Sequence, residues 1–287
     1  TLANKRIALI TDSTCDIPAD WRKMYDIRIV PLTLVWGQEQ YLDGVDMQPA
    51  EFYERLATDP VTPKTSQPAP SQFLSAFEAA REDGYEEAIV FTISSNMSGT
   101  IVSARQAVEF SPIPVQVVDS LENSMGLGWQ VITAARTREN GGDSPAMIAA
   151  AQKARTTMKY GILLDTMNYL VSGGRIGGAV RFLNSVLQIK PEIWLNGETG
   201  KVEAGLPARS REKGIENLYR NFFRKMDVTK PLHLTVLHNA ALEEARTMME
   251  RVIKDFHPVE IFIQMCSPIL GAHTGPRAIA LCGYYEM

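Results

Sequence analysis

The sequence has few of the residue patterns on which several classes of protein depend. Its 287 residues include only three cysteines and four histidines. The cysteines form no CxxC pair, which predicts reduced thiols in place of a disulfide framework. The histidines show no HxH or HxxxH spacing, so no structural metal site is expected.

Charge and hydropathy exclude two further classes. The net charge is −4 and no cluster of Lys and Arg exceeds a few residues, which argues against a nucleic acid as the main partner. No apolar stretch approaches the roughly 18 residues of a membrane span, and no signal-peptide pattern is visible. Hydrophobic residues make up 45% of the chain, which is enough for a buried core. We therefore expect a cytoplasmic globular protein.

The first half of the chain alternates strand-like and helix-like segments. "RIALITDST", "EEAIVFTIS" and "VQVVDS" are short apolar runs, and 27–36 is a second extended stretch. Residues 49–58 and 71–84 carry apolar residues at helical spacing. Uninterrupted apolar strands between helices predict a mostly parallel sheet with helices on both faces.

The second half shows a different order of segments. Residues 144–161 predict a helix with Ser144 as its N-cap, and 190–205 form two alternating stretches joined by "NGETG", a hairpin signal. Further segments with helix-like and strand-like patterns follow, and the last of them is the strand-like "EIFIQMCS". The chain therefore predicts an α/β fold of two domains. Residues 1–160 form an N-terminal α/β domain, and residues 161–287 form an α/β domain with a mixed or antiparallel sheet.

Four segments that follow or precede predicted elements are unusually rich in hydroxyl groups. They are "TDSTCD", "TPKTSQPAPSQF", "ISSNMSGT" and "VDSLENS". Ligands of open α/β sheets lie beyond the carboxyl ends of the strands, and hydroxyls with free N–H groups at helix starts suit an anion. No GxxxxGK phosphate loop is present, which favours a carboxylate over a polyphosphate. The alternative is that these residues are ordinary caps and turn formers.

Other polar residues allow two interpretations each. Asp12 and Asp16 form a possible acid–base pair, but capping of the "STCDIP" turn explains them better. His273 lies in the turn-rich "GAHTGP" stretch, where it is a structural hydrogen-bonding group or a contact to a ligand head group. Arg175 is flanked by glycines in "VSGGRIGG" and is solvated or close to a ligand.

Taken together, these segments resemble the DegV family, which is similar to the fatty-acid-binding B subunits of bacterial fatty acid kinases. The resemblance covers nearly the whole chain in the family's order. The matching segments are "ALITDSTCDIP", "TSQPAPSQF", "SSNMSGTIVSA", "VVDS", "YLVSGGRI" and "GAHTGP".

The resemblance implies a lipid-binding carrier with no chemistry of its own and no cofactor. A long-chain fatty acid would be its ligand, with a buried tail. A separate ATP-binding kinase subunit would phosphorylate that acid to an acyl phosphate. Carried over to this sequence, the carboxylate-binding hydroxyls are Ser66 and Ser98, with Thr65, Ser95 and His273 beside them. The family's basic positions near the site mouth correspond to Arg175 and Arg209.

Two departures and one alternative stay open at this stage. After "HTGP" the family has glycines where this chain has Arg277 and Ala280. A small-molecule phosphotransferase is the alternative function, because the fold is similar to that of dihydroxyacetone kinase. The sequence leaves open the chain length and saturation of the acid, the tunnel residues, the oligomeric state and the identity of the kinase partner.

Overall fold

The computed structural model describes residues 6–184 and 188–287, in which thirteen strands alternate with ten α-helices. In chain order the strands are β1 Ile7–Asp12, β2 Ile27–Val30, β3 Thr33–Trp36, β4 Glu39–Leu42, β5 Lys64–Ser66, β6 Glu87–Thr92, β7 Val115–Asp119, β8 Lys159–Leu163, β9 Glu192–Leu195, β10 Val202–Ala204, β11 Leu232–His238, β12 Glu260–Met265 and β13 Ile279–Tyr285. The helices are α1 Ala19–Met24, α2 Pro49–Thr58, α3 Pro70–Glu82, α4 Thr100–Val108, α5 Ser124–Glu139, α6 Ser144–Thr157, α7 Asn168–Gly173, α8 Arg211–Arg224, α9 Leu242–Phe256 and α10 Pro268–Thr274.

The first sheet is wholly parallel, as the sequence predicts. Its strand order is β2-β1-β6-β7, and all six residues of β1 are buried. Successive side chains of a strand point to opposite faces, so Ile10 packs in one apolar cluster with Phe77, and Leu9 packs in another with Trp129. Helices therefore cover both faces of the sheet, which explains why its strands are continuous apolar runs.

The second sheet is mixed and has six strands in the order β10-β9-β8-β13-β11-β12. Only β11 and β12 run parallel to each other, and the remaining pairs are antiparallel. The hairpin predicted from "NGETG" is present as β9 and β10, with Trp194 opposite Glu203. The predicted fold class, α/β with a parallel sheet and a mixed sheet, is confirmed.

A third sheet, with the order β4-β3-β5, is missing from the prediction. Treating residues 27–36 as one extended stretch is wrong, because β2 and β3 belong to different sheets. Pro31 separates them, and proline cannot donate to a strand ladder. The next amide, that of Leu32, donates to Ser13 Oγ at 3.0 Å.

Helix starts follow local capping chemistry. Helix α2 begins at Pro49, as predicted, because proline fits the first turn of a helix. The prediction of Ser144 as the N-cap of α6 is wrong by one residue. Asp143 is the N-cap, and its Oδ1 accepts a hydrogen bond from the Ala146 amide at 3.0 Å.

The predicted domain boundary after residue 160 falls inside β8, Lys159–Leu163. The division into two domains therefore remains a proposal. Across the described ranges, no helix combines the length and the apolar content that a bilayer crossing requires.

Candidate ligand-binding site

A cavity with about 800 Å³ of empty space, including its open mouth, lies between the loops of the parallel sheet and one face of the mixed sheet. Loops after β5 and β6, the residue before α5, and helices α7 and α10 contribute to its wall. Its polar lining residues are Thr65, Ser66, Gln67, Ser98, Asn123, Arg175, His273 and Thr274.

Four of these polar residues contact one another or the neighbours of Ser98. Thr65 Oγ1 lies 2.8 Å from His273 Nε2, although the two residues are 208 positions apart. Arg175 Nε donates to the carbonyl of Met97 at 3.2 Å, which places the guanidinium beside the segment that carries Ser98. The carboxamide of Gln67 packs against Gly99, where a Cβ would lie 2.1 Å from Gln67 Oε1. Thr65 and His273 are thus in direct contact, and Arg175 and Gln67 lie against the two neighbours of Ser98 in the chain.

Ser98 stands at the entry to α4, two residues before its first residue. Its Oγ lies 2.8 Å from Thr100 Oγ1 and accepts the amide of Thr100 at 3.2 Å. These contacts fix the hydroxyl at a helix N-terminus, where unpaired N–H groups and the helix dipole favour an anion. The predicted position of Ser98 at a helix entry is therefore confirmed.

His273 is neutral in this setting. Burial, followed by the positive charge of Arg175, lowers its pKa to about 4. His273 lies in the last turn of α10, so the sequence-based placement in a turn is wrong. Its Nδ1 is buried and has no hydrogen-bond partner among the described residues, and the ring lies against Gly173, where a Cβ would be 2.2 Å from Nδ1.

The opposite wall of the cavity is apolar and comes from strands of the mixed sheet. Ile162 of β8 and Ile193 and Leu195 of β9 line the cavity. The residue between the last two, Trp194, also borders the cavity, but its ring packs against Phe222 of α8. Period-two alternation places Ile193 and Leu195 in one apolar cluster and Trp194 in the cluster that includes α8.

The structure brings five of the seven predicted site residues into the cavity lining. They are Ser66, Ser98, Thr65, His273 and Arg175. Ser95 is exposed beside the cavity, and its amide donates to Asp119 Oδ1 at 3.3 Å. Arg209 is exposed in the segment before α8 and is not a lining residue.

The loop after β1 does not line the cavity, although the sequence grouped it with the other polar loops. Asp12 is a cap, as predicted, and accepts the amide of Thr14 at 2.9 Å; it also accepts the amide of the cavity residue Ile93 at 2.7 Å. Asp16 also caps this turn, as predicted, since it is the C-cap residue of the 3₁₀ helix Ser13–Cys15. Its carboxylate accepts the Ser124 hydroxyl at 2.6 Å and the Ser267 amide at 3.0 Å, so it joins three elements behind the cavity.

The sequence analysis did not identify some of the lining residues. Gln67 and Thr274 lie within the quoted "TSQP" and "GAHTGP" segments, so proximity to a predicted residue is the signal that identifies them. Tyr160 carries no such signal, because it lies inside an apolar strand. In the described part of the chain, no group of three or more His, Cys, Asp and Glu side chains is arranged to hold a metal ion.

Comparison with known proteins shows the family of the chain. The family model described as "Uncharacterised protein, DegV family" matches residues 6–286. A DegV domain-containing protein of Clostridium acetobutylicum is 32% identical over 283 residues, which cover 96% of this chain and 98% of the relative.

Two solved structures are similar throughout. One is a DegV family protein from Thermus thermophilus that is described as binding a fatty acid. Its TM-score is 0.91 at 30% identity, and the match covers 98% of this chain and 100% of the Thermus chain. A stearic-acid-binding protein from Eubacterium ventriosum has a TM-score of 0.88 at 25% identity, with 98% of each chain covered.

Proposed function

Because the chain belongs to the DegV family, we propose that it binds one long-chain fatty acid in the cavity described above. The observation that carries this proposal is the division of the cavity into a cluster of hydroxyls and an apolar wall. An amphipathic ligand with one small polar end and one long apolar end matches that division. The fatty acids named for the Thermus and Eubacterium proteins have this chemistry.

The carboxylate of the acid is held by neutral donors in this proposal. Ser66, Ser98 and Thr65 offer hydroxyls, and neutral His273 offers a ring nitrogen through its contact with Thr65. Arg175 is the only Lys or Arg in the described lining. Hydroxyl donors orient a carboxylate without a close ion pair, so an oxygen is left open to attack a phosphoryl group.

The acyl tail supplies most of the affinity. About 14 methylenes buried at about 0.8 kcal/mol each give roughly 11 kcal/mol before costs. Ordering the chain and losing translational freedom remove a large part of this sum. Sub-micromolar binding is still reachable with neutral head-group contacts.

We further propose that this protein is a carrier in the bacterial cytoplasm, without a cofactor. It presents the acid to a separate ATP-binding fatty acid kinase subunit, which makes the acyl phosphate. In this scheme residues 1–160 carry most of the carboxylate-binding loops, and residues 161–287 complete the site with Arg175 and His273.

The experiment is a reconstitution with Mg²⁺, ATP and stearate, with and without a bacterial fatty acid kinase subunit. Acyl phosphate is trapped as a hydroxamate, and ADP is measured in parallel. We expect ADP and hydroxamate only when both proteins are present. ATP turnover by this protein alone would overturn the carrier role and favour a phosphotransferase.

A further inference from the structure

Glu122 carries a carboxyl group without a hydrogen-bond partner in the described part of the chain. The residue is fully buried, and both of its carboxyl oxygens lack a partner. It directly precedes Asn123, which is the N-cap of α5 and a lining residue of the cavity. A buried carboxyl group of this kind is costly once it is ionised, so its position calls for an explanation.

The carboxyl group lies between α5 and the tip of the β9–β10 hairpin. A Cβ on Gly126 of α5 would be 2.6 Å from Glu122 Oε2, and a Cβ on Gly197 of the tip would be 3.1 Å from Glu122 Oε1. Glycine at these two positions therefore leaves the space that the carboxyl group occupies.

Two hydrogen bonds hold the hairpin tip against the loop after β6. Ser94 Oγ donates to Gly200 O at 2.7 Å, and Asn96 Nδ2 donates to Thr199 O at 2.6 Å. The backbone of Glu122 joins the same contact, since its carbonyl accepts the Ser94 amide at 2.8 Å. The tip therefore rests on the loop after β6 and on Glu122.

The residues next to this tip form one end of the apolar cavity wall. Leu195 and Val202 line the cavity and are the ladder pair nearest the tip. Pairing of β9 with β8 extends from Glu192 to Trp194 and does not include Leu195, and β10 is the edge strand of the sheet. A displacement of the tip would therefore move two lining residues without breaking the pairing between β8 and β9.

The surroundings of Glu122 favour its protonated form. Burial raises the pKa of Glu122 well above its ordinary value of 4.5, although the positive charges of Arg155 and Lys159 act in the opposite direction. These two cations, on α6 and β8, line an outer groove together with Gly197, and neither gives the Glu122 carboxyl group a hydrogen bond.

The other elements around Glu122 offer it no buried cation. The first turn of α5 has no charged side chain, and β13 contributes the thiol of Cys282, whose own pKa is raised by burial. On the hairpin tip Glu198 and Lys201 are exposed, and Asp119 at the end of β7 accepts backbone amides at 3.0 and 3.3 Å. The cations that act on an ionised Glu122 are therefore those of the outer groove.

We propose that Glu122 is a proton-controlled latch on the β9–β10 hairpin. With its proton, the neutral carboxyl group stays buried and the hairpin stays closed on the cavity. When the carboxyl group releases its proton to water, the carboxylate moves toward the cations of the outer groove and displaces Gly197 and the tip. The opened edge is a route for exchange of the bound fatty acid, and this part of the inference rests on the proposed function.

The direction of the pH dependence follows from the two states of the hairpin. In the open state the carboxyl group is in water and titrates near its ordinary value of 4.5, whereas in the closed state its pKa is higher. Between these two values, each unit of rising pH favours the open state by up to about tenfold. The hairpin is therefore most firmly closed in acid and opens progressively as the pH rises.

The test measures hydrogen exchange of the full chain without ligand, between pH 5 and 8, with correction for the intrinsic exchange rate. The reporter is the hairpin segment 192–204, and β1 reports global unfolding. Glu122→Gln is the main variant, because its amide keeps the size of the carboxyl group and does not titrate. Glu122→Ala is a second variant without a titrating group, and Glu198→Gln is the matched control on the exposed tip of the same hairpin.

We expect protection of 192–204 to fall about 5- to 10-fold per pH unit in wild type and in Glu198→Gln. In Glu122→Gln and Glu122→Ala it should vary less than about twofold over the whole range. The hairpin should also exchange faster than β1 at every pH, because its opening is local. An unchanged slope in both Glu122 variants, or exchange of the hairpin only together with β1, would overturn the proposal.

The effect on ligand exchange is measured separately, as release of a fluorescent fatty acid during a chase with excess palmitate. Release from wild type should be at least about fivefold faster at pH 8 than at pH 6, and release from Glu122→Gln should differ by less than about twofold. The same pH dependence in both proteins would overturn the role in exchange, even if the hairpin opens. Failure of the wild-type protein to bind the fluorescent acid would overturn the proposed function, and hydrogen exchange alone then decides on the latch.

Discussion

At the scale of single residues, the head-group region of the cavity relies on hydrogen bonds between neutral groups. Burial lowers the pKa of His273 to about 4, so its contact with Thr65 at 2.8 Å involves an uncharged ring at neutral pH. Ser98 is fixed by Thr100 at the start of α4. In the proposed function, these groups orient the carboxylate and the apolar wall supplies most of the affinity.

The first prediction concerns Ser98. Ser98→Ala should weaken stearate binding about 2- to 13-fold, because one neutral hydrogen bond contributes about 0.5–1.5 kcal/mol, and it should change the unfolding free energy by less than about 1 kcal/mol. Acyl phosphate yield with a kinase subunit should fall at least as much. Calorimetry and urea unfolding measure the two quantities.

Ser95→Ala is the matched control, since Ser95 lies in the same loop but is exposed and outside the cavity lining. Equal loss in both variants would mean that the loop, and not the Ser98 hydroxyl, determines binding.

Individual site residues could be predicted where local chemistry gives a signal. Ser98 precedes α4, and Thr65 and Ser66 are the last two residues of β5, so all three hydroxyls lie where hydroxyl-rich segments are visible in the sequence. Tyr160 could not be found this way, because only strand pairing decides which face of β8 meets the cavity. The contact between Asp16 and Ser267 could not be predicted either, because the two residues are 251 positions apart in the sequence.

At the scale of elements, α8 closes the face of the mixed sheet that lies behind the cavity wall. Phe222 is fully buried and stacks on Trp194, with ring centroids 6.4 Å apart. Ser210 caps the helix by accepting the amide of Lys213 at 3.2 Å. The helix therefore supports β9 from the side opposite the cavity.

The second prediction follows from this packing. Phe222→Ala should lower the unfolding free energy by about 3–5 kcal/mol, because it removes a buried ring and leaves a cavity. Phe110 is 72% exposed, so Phe110→Ala should stay within about 0.5 kcal/mol of wild type. Similar losses in the two variants, measured by urea unfolding, would contradict the packing described here.

The third prediction concerns the bridge that Asp16 makes to α5 and α10. Burial raises the pKa of Asp16 to about 7, against the hydrogen bonds from Ser124 and Ser267, from an ordinary value of 3.8. Between these values the folded protein keeps a proton that the unfolded chain releases. Stability should therefore fall as the pH rises from 4 to 7, by up to about 1.4 kcal/mol per pH unit from this group.

Asp16→Asn tests this assignment, because asparagine does not titrate. Unfolding free energies measured between pH 4 and 7 should show a shallower fall than in wild type. Asp20→Asn is the control, since Asp20 is exposed in the first turn of α1. An unchanged slope in Asp16→Asn would contradict a raised pKa at this position.

Helices and strands that have their own sequence pattern could be predicted, but the elements that they pack or pair with in the fold could not. The continuous apolar runs gave β1, β6 and β7, and the "NGETG" turn gave the β9–β10 hairpin. The break at Pro31 and the small sheet built on β3 depend on contacts such as Leu32 to Ser13, which the sequence does not display.

At the scale of the whole molecule, the cavity depends on the position of the parallel sheet relative to the mixed sheet. Arg136 of α5 binds Glu260 of β12 through two contacts of 2.6 and 2.9 Å. Glu260 also contacts His233, whose other ring nitrogen lies 2.7 Å from Glu286. This network joins α5, in the first half of the chain, to the mixed sheet. Residues from both halves of the chain line the cavity.

The central claim is that this protein carries a long-chain fatty acid, and mass spectrometry of an organic extract of the purified, unsupplemented protein tests it most directly. The account predicts one C14 to C18 fatty acid per chain. An empty extract that stays empty after incubation with such acids would contradict the account, because a cavity of this composition has no other proposed occupant.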